Sequence, residues 1–190
     1  MKKKIFYVTS NQGKFEEVKD FFKIQHSDFD LLHYPLDVDE IQSLDQIEVV
    51  KDKAKKAFSI LNQPLLLDDG GIFFNEYPQF PGTLSKFIFK ALGFDGLFRL
   101  INEDKRASFI LQLAYTEGKE IQCFEGKCEG EVVLPTTIAS HPMLPFTAIF
   151  KPNGTEKTLA ELRYTSDFYK YSFRQQALQK FITWYQERGS

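Results

Sequence analysis

Leu65-Leu66-Leu67-Asp68-Asp69-Gly70-Gly71 is an apolar run that delivers two adjacent carboxylates into a glycine pair. Three successive leucines after Pro64 suit a short strand buried on both faces. Glycines beyond it permit a positive φ or the close approach of another backbone. Two readings of the acids are open at this point. Asp-Asp-Gly-Gly has the chemistry of a solvated turn, and two anions fixed at a strand end also invite a hard cation.

Working back from this stretch, Ile47, Val50, Ala54, Ala57 and Phe58 form one apolar stripe, with Lys51, Lys53, Lys55 and Lys56 mostly opposite it. That pattern predicts an amphipathic helix from Asp45 to about Asn62, stopped by Pro64. Further back, Lys4–Val8 reads as a first buried strand and Thr9–Lys14 as a polar loop, leading into a helix with Phe15, Val18, Phe21 and Phe22 inward. A helix crossing between strands favours a parallel pair, which brings the Thr9–Lys14 loop and the two aspartates to one edge of the sheet. A helix N-terminus there suits an anion, with Asn11 as a donor and Lys14 as a point charge. A capped helix start with a solvated lysine fits the same residues. The glycine spacing of a P-loop is missing.

The rest of the chain alternates less regularly. A second strand is predicted near Phe29–Leu32, followed by the acid-rich loop Asp37-Val38-Asp39-Glu40. Downstream, Ile72–Phe74 continues extended, and Leu84, Phe87, Ile88 and Leu92 line a helix that carries Lys86 on its first turn. Phe94–Ile101 reads as a second short helix. Ser108–Thr116 alternates as a strand, Ile121–Phe124 and Glu131–Leu134 are expected to pair through a Gly126-Lys127 turn, and Phe146–Phe150 gives one more strand. A final helix opens at Ser172 and buries Phe173, Ala177, Leu178, Phe181, Ile182 and Tyr185. The class is α/β.

At 190 residues the chain suits a single domain over 1–190, with room for two lobes. A formal charge of -2 excludes the global basic field that non-specific nucleic-acid binding relies on. Cys123 and Cys128 have no second ligand pair to complete a zinc site and are expected as reduced strand residues. The basic start Met1–Lys4 is followed by too short an apolar segment for a signal peptide, so a cytoplasmic protein with no membrane partner is expected.

Thr9-Ser10-Asn11-Gln12-Gly13-Lys14-Phe15-Glu16-Glu17-Val18 is similar to the Thr-Gly-Asn-x-x-Lys-x-x-Glu-Val start of the inosine-triphosphate pyrophosphatases. These enzymes hydrolyse non-standard purine nucleoside triphosphates to monophosphate and pyrophosphate. Glu40, the acidic pair Asp68-Asp69, Pro81-Gly82 with Lys86, Leu92-Gly93-x-x-Gly96-Leu97, Lys151-Pro152-Asn153-Gly154 with Ala160-Glu161, and Arg174-x-x-Ala177-Leu178 extend the likeness over nearly the whole chain.

The resemblance implies an elongated mixed β-sheet flanked by helices, two lobes around a central nucleotide-binding cleft, and a homodimer. Glu40, Asp68 and Asp69 would hold Mg²⁺ or Mn²⁺, and Asp69 would act as the general base. Thr9, Asn11, Lys14 and Lys86 would bind the phosphates, and Phe146 and Arg174 would contact the base. Departures gather on the base side: Thr147 replaces an aspartate that reads the base, Phe173 replaces the histidine of a Ser-His-Arg motif, and Phe168 stands where a lysine is expected, with Lys170 nearby. Loss of polar donors relaxes discrimination between bases. A catalytically inactive nucleotide-binding sensor or partner protein is the alternative function.

Overall fold

The computed structural model describes residues 2–25, 29–101, 103–134 and 145–188. In chain order the strands are β1 (Lys3–Val8), β2 (Phe29–Tyr34), β3 (Leu65–Phe74), β4 (Arg106–Thr116), β5 (Ile121–Val132) and β6 (Phe150–Pro152). The helices are α1 (Gln12–Ile24), α2 (Gln46–Leu61), α3 (Ser85–Leu100), α4 (Leu159–Leu162), α5 (Phe168–Tyr171) and α6 (Phe173–Arg188). The strands form one sheet in the order β2-β1-β3-β4-β5-β6. It is mixed: β1 pairs in parallel with β2 and with β3, whereas β5 and β6 are antiparallel. No helix among the described residues is long and apolar enough to cross a membrane.

Local chemistry explains the boundaries of α1 and α2. Asn11 caps α1 by accepting from the Lys14 N–H, and Asp45 caps α2 by accepting from Ile47 and Glu48. Asn62 then ends α2 in the left-handed region at φ 47°, its N–H donating to the Phe58 carbonyl. The next residues turn into β3, whose three leucines are at most 1% exposed.

The acidic stretch is not a turn. β3 runs unbroken for ten residues through both aspartates and both glycines. A Cβ on Gly71 would lie 2.2 Å from the Gly82 carbonyl oxygen, and Gly82 itself has φ +51°. The glycine therefore serves close backbone approach, the second of its two uses. Ser85 locks the contact, donating to the Gly82 carbonyl at 2.6 Å and accepting from the Ile72 N–H at 3.1 Å.

The expected hairpin at Gly126-Lys127 is also absent, because β5 continues through it. From Phe124 to Val132 its residues alternate buried and outward-facing, so period-two burial overrides the turn propensity of a lone glycine. Gly130 within this run admits no side chain, since a Cβ would meet the Lys151 carbonyl oxygen at 2.2 Å. Phe146 lies in a 3-10 turn, Pro145–Ile149, and the strand predicted there begins only at Phe150. The two helices expected between Ser85 and Ile101 are both present within α3, separated by Gly93, whose backbone is non-helical at φ 59° and ψ -168°.

The chain divides into two compact units. The first comprises Met1–Asp69, Leu111–Gly126 and Arg174–Ser190, and its sheet face on α2 is packed by Val8, Val50, Ala54, Ala57, Leu65, Leu67 and Ala114. The second comprises Gly70–Ile110 and Lys127–Phe173, with an aromatic-rich core built on Ile72, Phe74, Phe109, Phe146 and Phe150.

Candidate active site

Seven of the nine residues singled out from the sequence fall in the first unit: Thr9, Asn11, Lys14, Glu40, Asp68, Asp69 and Arg174. Successive side chains of a strand point to opposite faces. Asp68 and Asp69, though adjacent, consequently have different neighbours.

Asp68 follows Leu66 on one face of β3, and Leu66 is in register with Tyr7 of β1. The Tyr7 phenol therefore reaches Asp68 and donates to its Oδ2. Lys14, from the first turn of α1, donates to Oδ1 at 2.6 Å, and the Nε of Arg174, at the start of α6, donates to Oδ2 at 2.7 Å. Arg174 also holds Glu17 through Nη1. Two cations and two carboxylates thus balance, with Arg174 at 4% exposure and Asp68 at 5%, while the Lys14 side chain keeps 21% of its surface open. Burial alone would push the Asp68 carboxyl up, but the charges and hydrogen bonds of Arg174 and Lys14 outweigh it and hold Asp68 far below the usual carboxylate range. Desolvation opposes the charge on Arg174 too, and the Asp68 and Glu17 carboxylates keep it protonated.

Asp69 has the opposite surroundings. Its Oδ2 is buried without a hydrogen-bond partner among the described residues. Its Oδ1 lies 3.5 Å from the ammonium of Lys53, which donates at 2.6 Å to Glu40. One lysine serves two carboxylates, so this cluster carries an excess negative charge. Burial raises the Asp69 carboxyl above its ordinary value and Glu40 and Asp68 reinforce that rise, against the opposing charges of Lys53 and Lys14. A carboxylate so placed is a stronger base than one in water.

Among the described residues no group of three or more His, Cys, Asp or Glu side chains gathers as a metal site, so a divalent cation would have two carboxylates here and would need further ligands. Mg²⁺ is commonly held by one or two carboxylates and completed by substrate phosphates. Glu40 and Asp69 supply two hard oxygen donors already gathered around a single positive charge, with one buried oxygen unpaired. Asp68, named with them from the sequence, has its oxygens engaged by Tyr7, Lys14 and Arg174.

Upstream of Lys14 the loop is fixed by its own polar groups. Thr9 Oγ1 accepts from the Asn11 N–H at 3.1 Å, and Asn11 Oδ1 accepts from the Lys14 N–H at 3.2 Å. The capped helix start and the lysine reaching a buried acid are therefore parts of one arrangement.

The remaining two residues belong to the second unit. Lys86 is exposed on the first turn of α3. Phe146 is only 7% exposed and packs edge-on against Phe89 at 5.4 Å. Phe173 stacks on Phe109 with centroids 4.9 Å apart. Lys170 is in an ion pair with Asp167 at 3.0 Å. Glu161, part of the family-like Ala160-Glu161 pair, closes a capping box with Thr158 at the start of α4.

Sequence reasoning passed over three contributors to these clusters. Lys53 was grouped with the solvated lysines of α2, yet its side chain is 12% exposed. The buried positions Gln46, Val49, Val50, Ala54 and Ala57 recur at helical spacing with Lys53 among them, and Ile47, assigned to the stripe, is 41% exposed. Shifting the stripe by one position would have found the lysine. Glu17 sits beside Val18 on the inner face of α1, and Tyr7 alternates with Ile5 on a buried strand. A polar group at each of those positions demands a partner.

A sequence profile of the Ham1 family matches residues 5–184. The dITP/XTP pyrophosphatase of Saccharolobus solfataricus is 33% identical over 180 residues, spanning 94% of this chain and 91% of that protein. The inosine triphosphate pyrophosphatase of Yarrowia lipolytica is 31% identical over 163 residues, spanning 83% of each. A HAM1 protein from Coxiella burnetii superposes with a TM-score of 0.78 at 20% identity, over 97% of this chain and 99% of that one, a likeness of fold.

Proposed function

The chain belongs to the Ham1 family, and on that premise we propose that it hydrolyses non-standard purine nucleoside triphosphates to the monophosphate and pyrophosphate. The observation that carries the reading is Asp69: a buried carboxylate with an unpaired oxygen and a raised proton affinity, in a cluster short of positive charge. A protein that only binds nucleotide has no use for such a group.

The reaction is attack of water on the α-phosphorus. Asp69 orients the water and accepts its proton as the new P–O bond forms, the α–β bridging P–O bond breaks, and pyrophosphate leaves with the bonding electrons. Lys14 presents its ammonium to the phosphates while Asp68 and the Asn11-capped turn keep it in place. Backbone N–H groups at the start of α1 add donors that anions favour. Glu40 and Asp69 would hold Mg²⁺ or Mn²⁺, which when bound offsets the charge that develops on the phosphate oxygens. Lys53 then keeps the two carboxylates from repelling one another when no divalent ion is bound.

Base choice is relaxed in this reading. Phe173 offers no donor and its ring lies against Phe109. A donor set built to read a 6-oxo group rejects other bases strongly, whereas an apolar ring discriminates weakly.

The test is pyrophosphate release measured over a panel of dITP, XTP, ITP, ATP and GTP with Mg²⁺. Equimolar monophosphate and pyrophosphate, with ITP preferred by less than about a hundredfold, are expected. Binding without turnover across the panel, or release of orthophosphate, overturns the assignment.

A further inference from the structure

His33, near the end of β2, touches both sides of the Thr9–Lys14 loop. Its Nε2 lies 2.8 Å from the Thr9 carbonyl oxygen, an acceptor, so the ring nitrogen is the donor. Its imidazole also stacks on Phe15 in the first turn of α1, with centroids 4.1 Å apart and planes 10° from parallel. The neighbouring residue of β2 completes the hold on Thr9, whose N–H donates to the Tyr34 carbonyl at 3.1 Å. Both backbone groups of Thr9 are thereby tied to β2.

The consequence is carried along the loop by the contacts already described. Thr9 Oγ1 positions Asn11, Asn11 caps the turn that carries Lys14, and Lys14 reaches Asp68. His33 grips the first member through its nitrogen and the residue after Lys14 through its ring face. We propose that His33 is a positioning residue for the phosphate loop, a staple that pre-pays the ordering of Thr9–Lys14 before the triphosphate arrives. The assignment rests on the reading of this loop as the phosphate site. Neither contact requires His33 to touch the nucleotide.

Because the staple acts on the loop and not on Asp69, its removal affects the grip on phosphate more than the chemical step. The two halves of the contact are separable. His33→Phe keeps a ring to stack on Phe15 and loses the donor, whereas His33→Gln keeps a donor and loses the ring.

KM and kcat for dITP would be measured for wild type and both variants, with the affinity of inorganic triphosphate for each protein by calorimetry and Tm by calorimetric scan. His33→Phe is expected to raise KM about tenfold, to weaken triphosphate by the same factor, and to leave kcat within about threefold. His33→Gln is expected to recover most of the triphosphate affinity. A lower Tm with unchanged KM and unchanged triphosphate affinity would mean that His33 serves the fold alone, and the inference falls. If wild type turns over no nucleotide yet His33→Phe still weakens triphosphate, the pyrophosphatase reading fails and the staple stands. Equal triphosphate affinity in all three proteins overturns the staple whatever the turnover.

Discussion

Asp68 and Asp69 are neighbours on one strand, and the molecule treats them in opposite ways. Around Asp68, two cations, a phenol and a second carboxylate close a neutral, buried network. Around Asp69, one ammonium is shared with Glu40 and an oxygen has no hydrogen-bond partner among the described residues. Strand alternation makes the difference possible, because it assigns the first acid to α1 and α6 and the second to α2 and the Glu40 loop. A saturated carboxylate fixes geometry and an unsaturated one remains available for chemistry. Buried groups left in an unfavourable state recur at functional sites, where stability is given up for reactivity.

The comparison can be broken first at Arg174. Arg174→Met leaves Asp68 and Glu17 buried with one fewer cation between them, and the expected loss is about 3–5 kcal/mol of folding stability by urea denaturation. A loss below about 1 kcal/mol, the range of an exposed ion pair, would mean that the network is not what holds Asp68.

A smaller effect is expected at the Asp69 cluster. Glu40→Gln removes one of the two hard donors without touching the Asp68 network, so the Mg²⁺ concentration for half-maximal turnover should rise at least about tenfold while Tm changes little. Unchanged Mg²⁺ dependence would remove Glu40 from the metal site and the Lys53-linked pair from the account.

Much of this architecture was legible in the residues. The β1-α1-β2 and α2-β3 succession gave the parallel strands, and with them the nearness of Lys14 to Asp68, because the apolar spacing was regular and the caps at Asn11 and Asp45 were explicit. What misled was local chemistry overruled at a distance. Asp68-Asp69-Gly70-Gly71 has every mark of a turn, and only the approach of Gly82, eleven residues beyond Gly71, shows why an extended glycine is needed there. Gly126-Lys127 failed in the same way, since the alternation of β5 across it spans a longer window than a dipeptide. The separate fates of the two aspartates followed from strand alternation once the stretch was known to stay extended. The partners Tyr7, Glu17 and Lys53 came from three other elements, each within a pattern that reads as apolar. On the base side, Phe146 could equally have been core or platform, and the structure buries its ring in the core of the second unit, with Phe173 partly buried against that core.

The most direct test is Asp69→Asn, followed by pyrophosphate release and thermal stability on the same preparation. The folded-state pKa of Asp69 is raised, so its ionisation weakens the fold as pH climbs from the unfolded value through the folded one, and at neutral pH the amide should relieve that strain. The account predicts turnover lower by about 10³-fold, together with stability unchanged or higher by about 1 kcal/mol. A variant that retains more than about a tenth of wild-type turnover, or one that loses stability as Arg174→Met does, would contradict the division of labour between the two acids.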